Sequence, residues 1–166
     1  MNYQFFMEMA LGQARQALGE GEFPVGCVIV YKNKIIVSGT RKGSRADNIN
    51  EVDHAEMVAL RCLARLDKDI DHKKLTLFCT LEPCLMCYGA ILLSRIGELV
   101  YAYEDVMGGA TRGDMTQLGP LYESAGISIV DRIMRPESLA LLKSFFSDPA
   151  NTYWKDSVLA RYTLAQ

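Results

Sequence analysis

His54-Ala55-Glu56 and Pro83-Cys84-Leu85-Met86-Cys87 are the two stretches around which the chain is organised. Together they supply one imidazole, two thiols and a carboxylate two residues after the imidazole. Nitrogen and sulfur donors suit zinc, and three protein ligands leave a fourth tetrahedral position open for water, as in catalytic zinc sites. We therefore predict that His54, Cys84 and Cys87 hold one zinc ion per chain. Glu56 is then the free carboxylate that moves protons.

Helix and strand patterns around these stretches predict how the ligands meet. A helical pattern follows His54 to about Leu66, and a β-rich segment, 75–81, leads directly into a second helix over 85–93. Cys84 and Cys87 are three residues apart, so they share one face of that helix's first turn. The partial positive charge of two helix N-termini would favour thiolate at the metal. Glu82, at the turn, is expected to accept backbone N–H groups rather than to act in catalysis.

Apolar periodicity along the rest of the chain predicts alternating helices and strands. Such alternation indicates a three-layer α/β domain with a mixed sheet, and the chain has no internal repeat, linker or low-complexity tract. We therefore predict a single domain over residues 1–166. Further helices are predicted over 3–18 and 136–146, and further strands over 23–31, 35–38, 98–103 and 127–130.

The composition is that of an ordinary globular protein, with 49% hydrophobic and 23% charged residues among 166. No apolar run approaches the roughly 20 residues that span a bilayer, and the N-terminus lacks the pattern of a secretion signal. We therefore expect a cytoplasmic protein without membrane contact. Five cysteines, an odd number, argue against a disulfide framework. The net charge of -2 and the lack of a basic block lower the expectation of nucleic-acid binding.

The pairing of H-x-E with P-C-x-x-C, together with Pro24-Val25-Gly26-Cys27-Val28 and Ser94-Arg95-Ile96, resembles the cytidine/deoxycytidylate deaminase superfamily. Within it, the chain is most similar to the tRNA adenosine deaminase branch, over roughly residues 3–146. The resemblance implies a three-layer α/β/α sandwich around a mixed five-stranded sheet. It also implies a homodimer and hydrolytic removal of the exocyclic amine of a nucleobase, with Glu56 carrying the protons.

Substrate contacts are expected at Val25, Arg41 and Ala55. In the family, the start of the first strand lines the base pocket, which implicates Val25, although plain core packing explains a valine there equally well. Related deaminases place an asparagine where this chain has Arg41, and the following loop is about two residues longer. A guanidinium there can pair with phosphate or a carbonyl. Asn48 or Asn50 could instead replace the missing amide.

The C-terminal tail, 149–166, also departs from the resemblance, because bacterial tRNA deaminases commonly end in a basic helix and this tail does not. Its aromatic residues Tyr153, Trp154 and Tyr162 could close the active site, form a dimer contact or pack on the body of the domain. The three placements stay open from sequence.

Three functional classes remain after these observations. The first is the deaminase, acting on adenosine in tRNA or on a free base, nucleoside or nucleotide of guanine, cytosine or cytidine type. The second is a redox protein, because a C-x-x-C motif that follows a strand and opens a helix is also typical of thioredoxin-like proteins. The third is a non-catalytic zinc module, which would need a fourth cysteine or histidine near the metal.

Overall fold

The computed structural model describes residues 1–45, 47, 49–66 and 69–166. Within these residues, five strands form one sheet in the order β2-β1-β3-β4-β5. β1 pairs antiparallel with both β2 and β3, whereas β3, β4 and β5 run parallel. The sheet is therefore mixed, with helices on both sides, as the sequence predicts. The strands span Gly26–Tyr31 (β1), Lys34–Thr40 (β2), Leu75–Leu81 (β3), Glu98–Tyr103 (β4) and Ser128–Val130 (β5).

The predicted helices are present with ends close to those expected. They are joined by two short helices that the sequence analysis did not predict, α4 in the 105–126 region and α6 in the tail. Both are at most seven residues long, so their apolar periodicity is too brief to detect. The helices span Tyr3–Gly19 (α1), Ala55–Leu63 (α2), Leu85–Leu93 (α3), Pro120–Glu123 (α4), Arg135–Ser147 (α5) and Val158–Leu164 (α6).

Alternation along the strands divides the core into two clusters. In β1, Val28 and Val30 pack with α1 on one face, while Cys27 and Ile29 point to the other, where α2 and α3 lie. All seven residues of β3 are buried, as expected for a strand at the centre of a three-layer sandwich. β3 therefore provides the rigid support from which α3 begins.

Two glycines let helices approach the sheet closely. A Cβ at Gly26 in β1 would collide with the carbonyl oxygen of Ala10 in α1, and one at Gly39 in β2 would collide with that of Ala55 in α2. A glycine inside a strand often marks the close approach of a ligand or of another backbone, and at Gly26 the approaching element is the backbone of α1. Gly39 in turn determines how near the first turn of α2 lies to the sheet.

The C-terminal tail packs on the same face as α2 and α3. Leu159 and Ala160 of α6 are buried, and Tyr162 donates a hydrogen bond to Glu104. Among the described residues, every helix is too short or too polar to cross a membrane. The tail thus contributes to the core beside the helices that carry the predicted metal ligands.

Candidate active site

The three predicted ligands meet where α2 and α3 begin. His54 is the N-cap residue of α2, Cys84 is the N-cap residue of α3, and Cys87 lies in the first turn of α3. Their ligand atoms all lie within 4.8 Å of one another. No side-chain cap bond is made by His54 or Cys84 within the described chain, so both side chains are free to face the shared site.

Distances between the ligand atoms match a zinc centre. The Nδ1 atom of His54 lies 3.6 Å from the Sγ of Cys84 and 3.5 Å from the Sγ of Cys87. A nitrogen and a sulfur bound to one tetrahedral zinc at ordinary bond lengths lie about 3.6 Å apart. The donor set and its spacing therefore both fit zinc, and the metal would be held through His54 Nδ1 and two thiolates.

The two thiols differ in acidity. The hydrogen bond with Cys87 lowers the pKa of Cys84 to about 4, and the bond with His54 acts in the same direction. The Cys84 sulfur is therefore available as thiolate, the form that binds metal. Cys27 and Cys79 differ from it, because complete burial raises the pKa of both thiols well above the ordinary value.

Glu56 is buried beside the three ligands. Its side chain is 3% exposed, and its Oε2 atom has no hydrogen-bond partner among the described residues. Burial raises the pKa of the carboxyl group. A buried carboxylate oxygen without a partner is costly, so it is retained only where a further group, such as a bound water or substrate, completes it. One oxygen of the Glu56 carboxylate therefore remains available, among the described residues, to a group bound beside the predicted metal ligands.

A cleft opens over these groups. Val25 and Ala55, which sequence proposed as substrate contacts, both line it, although both are almost completely buried in the core. Arg41, the third proposed contact, is in the wall as well. The complete lining comprises Phe23, Val25, Arg41, His54, Ala55, Glu56, Leu81, Glu82, Cys84, Asp105, Tyr153 and Trp154.

Arg41 is only 2% exposed, and its guanidinium is bonded within the protein. One terminal nitrogen donates to the carbonyl oxygens of Lys42 (2.6 Å) and Asn50 (2.9 Å). The other donates to Glu51 Oε2 (3.2 Å) and to the hydroxyl of Tyr153 (3.1 Å). Both terminal nitrogens are thus occupied by protein acceptors, so Arg41 shapes the cleft wall chiefly through its neighbours.

The amide of Asn50 is also committed to the protein, since it donates to Asp53 Oδ2 at 2.6 Å and accepts from the backbone of Val52. Asn48, the other candidate, lies outside the described residues. Glu82 accepts hydrogen bonds from the backbone nitrogens of Asp105 and Thr111, which is the structural role that the sequence indicates.

Several residues of this site were missed by sequence reasoning. Glu51 Oε2 lies 3.9 Å from His54 Nε2 and accepts from the Tyr153 hydroxyl at 2.9 Å. Phe23 lines the cleft and contacts both Tyr153 and Trp154. The adjacent aromatic residues Tyr153 and Trp154 in the tail were the available signal, but nothing in their spacing indicates what they contact.

Comparison with known sequences identifies a family model and several proteins that are similar to this chain. A family model described as the cytidine and deoxycytidylate deaminase zinc-binding region matches residues 1–103. The chain is similar to the tRNA-specific adenosine deaminase of Buchnera aphidicola subsp. Schizaphis graminum, 35% identical over 87% of this chain and 93% of the relative. It is also similar to the Agrobacterium fabrum protein of the same name, 32% identical over 86% and 93%.

Solved structures give the same picture of the fold. One, from work on adenosine-to-inosine editing by tRNA deaminases at the wobble position, matches with a TM-score of 0.69 and 31% identity, covering 83% of this chain and 99% of the other. A guanine deaminase from Nitrosomonas europaea matches with a TM-score of 0.68 over 86% and 83% of the two chains. At 21% identity, this match supports a shared fold only.

Proposed function

Because the chain belongs to the cytidine and deoxycytidylate deaminase zinc-binding family, we propose that this zinc-dependent deaminase converts adenosine to inosine in transfer RNA. The relatives that share about a third of their residues with it over most of both chains carry that activity in their names. The central observation in the site is Glu56, a buried carboxylate with an unpartnered oxygen beside a zinc-type ligand set.

The reaction replaces an exocyclic amine by a carbonyl, with water as the second substrate and ammonia as the leaving group. Zinc held by His54, Cys84 and Cys87 would supply Lewis-acid activation that lowers the pKa of water towards about 7. Glu56 takes the proton of the attacking water and delivers it to a ring nitrogen. It then takes the proton of the hydroxyl group added to the ring carbon and passes it to the amine, so that ammonia leaves as the carbonyl forms and one carboxylate serves successive transfers.

Two other classes are less consistent with the site. A redox role would use Cys84 and Cys87 as a thiol pair, but His54 Nδ1 lies at metal-ligand spacing from both sulfurs. A closed structural zinc site would require a fourth cysteine or histidine. Among the described residues, the converging group comprises His54, Cys84 and Cys87, and the other histidine, His72, bonds the carbonyl of Ser94.

A free base, nucleoside or nucleotide is the second candidate substrate. The chain is acidic, with a net charge of -2, and it lacks a basic tail. Arg41 also replaces the expected asparagine, and its guanidinium is held inside the protein. These features favour a small substrate over a polyanion, whereas the overall sequence similarity favours transfer RNA.

An ammonia-release screen decides between the two substrates. The purified zinc-loaded protein is offered a tRNA anticodon stem-loop with adenosine at the wobble position, the same stem-loop with guanosine there, and free adenosine, adenine, guanine, cytosine and cytidine. We expect turnover of the adenosine stem-loop. If free guanine or cytosine is deaminated and neither stem-loop is, the substrate is a free base and not transfer RNA. No ammonia from any of them would refute the proposed function.

We also propose that the protein is a homodimer. All nine residues of α3 are apolar or small, yet its exposed side leaves Leu85 62% and Leu93 54% accessible. A helix that is apolar all round is normally covered, and Leu118 and Leu121 extend the exposed apolar area. An isologous contact with a second copy, as the family resemblance implies, would cover it. Light scattering should give twice the chain mass, and Leu93→Glu should give monomer.

Three further features belong to this proposal. We place residues 1–166 in one catalytic domain, since α6 is buried against the body of the fold. Val25, Arg41 and Ala55 are its proposed substrate-side residues. A cytoplasmic location is supported by five cysteines that are all free, because reducing compartments keep thiols in that state.

A further inference from the structure

The tail brings two aromatic side chains to the cleft above the zinc ligands. Tyr153 and Trp154 both line it, and their rings are stacked, with centroids 5.0 Å apart and planes 11° from parallel. Tyr153 is buried, whereas Trp154 remains partly exposed. The stacked pair therefore forms an aromatic part of the cleft lining, and we call it the aromatic wall.

The aromatic wall is held in place by groups from distant parts of the chain. The Tyr153 hydroxyl accepts from Arg41 and donates to Glu51, and its ring lies under the Arg41 guanidinium with a centroid distance of 5.8 Å. Asn151 bonds both the backbone nitrogen and the carbonyl oxygen of Tyr153. On the inner side, both rings pack against Phe23. Three separate segments thus hold one pair of rings.

The backbone of Trp154 has a φ of 49°, in the left-handed region that bulky residues avoid. Such a conformation persists where the surroundings determine it, and residues of this kind concentrate at ligand sites. The contacts with the rings of Tyr153 and Phe23 hold the indole in this position.

We propose that the aromatic wall contacts the face of the heterocycle being deaminated, and that Arg41 and Glu51 are positioning residues for it. This rests on the proposed function, since it takes the substrate to be a nucleobase. The same cleft is lined by Glu56 and by the metal ligands His54 and Cys84, which would act on the edge of the ring. Flat aromatic surfaces recognise the π faces of bases, whatever pattern their edges carry. Together these groups would bind a heterocycle by both its edge and its face.

Trp154 provides a direct probe because it is the single tryptophan of the chain. The Glu56→Gln protein, loaded with zinc, is titrated while indole fluorescence is followed. The probes are the adenosine stem-loop, an otherwise identical stem-loop with an abasic site at the target position, and each free base or nucleoside that the parent enzyme deaminates. We expect the fluorescence to change with the probe that carries the reacting base and to stay constant with the abasic stem-loop. Equal changes with both stem-loops would mean that the wall meets flanking nucleotides, and would overturn the proposal.

Kinetics of wall variants give the second test. Trp154→Ala should raise KM roughly 5- to 150-fold, the range that loss of one base–aromatic stack produces, with a much smaller change in kcat. Trp154→Phe should restore most of the affinity. The control is Phe146→Ala, which removes a ring that contacts Phe23 but does not line the cleft.

These outcomes separate the wall from the substrate assignment. If the parent enzyme deaminates a free base rather than the RNA, the proposed function fails but the wall is still tested with that base. If Trp154→Ala leaves KM within twofold of the parent for the substrate that is turned over, the wall proposal is wrong while the function stands. A Tyr153→Phe protein, which loses only the hydroxyl bonds to Arg41 and Glu51, should fall between parent and Trp154→Ala in KM.

Discussion

The zinc ligands and the aromatic wall line one cleft, but the fold holds them by different means. His54, Cys84 and Cys87 lie at the starts of two helices, beside a strand that is buried along its whole length. The aromatic wall lies in an irregular segment and depends on side-chain bonds to residues about a hundred positions earlier. The chemistry is thus built from local elements, whereas the surface proposed to meet the substrate is assembled from distant segments.

Glu56→Gln should give the largest effect, and it tests the metal site, which is built from local elements. The amide cannot carry a proton, so turnover should drop by about 10⁴-fold or more, since general acid–base groups typically contribute up to that factor and this one serves several transfers. Zinc content and melting temperature should stay near those of the parent. The matched control is Glu123→Gln, an exposed position on α4. Zinc-loaded Glu56→Gln with turnover within tenfold of the parent would rule out the mechanism.

Cys87→Ser tests the ligand set itself. Even outer-sphere partners of a metal are worth about 10–100-fold in affinity, so loss of a direct thiolate ligand should cost at least the upper end of that range. Elemental analysis should show far less than one zinc per chain, with activity lost in proportion. Cys62→Ser is the control, because Cys62 lies on α2 outside the converging group. Unchanged zinc content and affinity in Cys87→Ser would contradict the assignment.

Arg41→Lys tests the aromatic wall, which is held by contacts between distant segments. Lysine keeps the charge but cannot bond two backbone carbonyls, Glu51 and Tyr153 at once, so the wall should shift. We expect the ratio of kcat/KM between two substrates, such as RNA and a free nucleoside or two free bases, to change about tenfold, or about 1.4 kcal/mol.

Arg45→Lys is the control for this variant, since Arg45 makes an exposed ion pair on the same loop. A specificity ratio that is the same in Arg41→Lys and the parent would show that Arg41 has no part in substrate choice.

The smallest effect concerns Glu104, which accepts a hydrogen bond from Tyr162 of the tail. Arg135 donates hydrogen bonds of 2.6 and 2.8 Å to Glu104, and these bonds hold the pKa of that carboxyl at about 2. Since the pKa is depressed on folding, the stabilisation is present above about pH 4.5 and is lost as the pH falls towards 2.

Glu104→Gln should therefore lower the free energy of unfolding by about 1 kcal/mol at pH 7, a modest value because Arg135 is partly exposed. The difference from the parent should vanish near pH 2, as measured by denaturant unfolding across that range. A difference that does not depend on pH would mean that the ion pair contributes nothing.

The difference between local elements and long-range contacts also explains what the sequence could predict. The metal site follows from two short motifs, because ligands at helix starts need only the right neighbours in sequence, and the mixed sheet follows from strand and helix patterns. Arg41 could not be predicted as buried, because arginine is normally exposed and its partners Glu51 and Tyr153 converge only in the folded chain. The position of Trp154 depends on a backbone turn that the periodicity of apolar residues does not predict. What escapes prediction is therefore the long-range contact.

The distance along the chain between Cys87 and Tyr153 also has a consequence for biosynthesis. A ribosome adds about 5–20 residues per second, so the three metal ligands emerge roughly 3 to 13 seconds before the tail that contacts Arg41. During that interval, the side of the cleft formed by the tail is still missing.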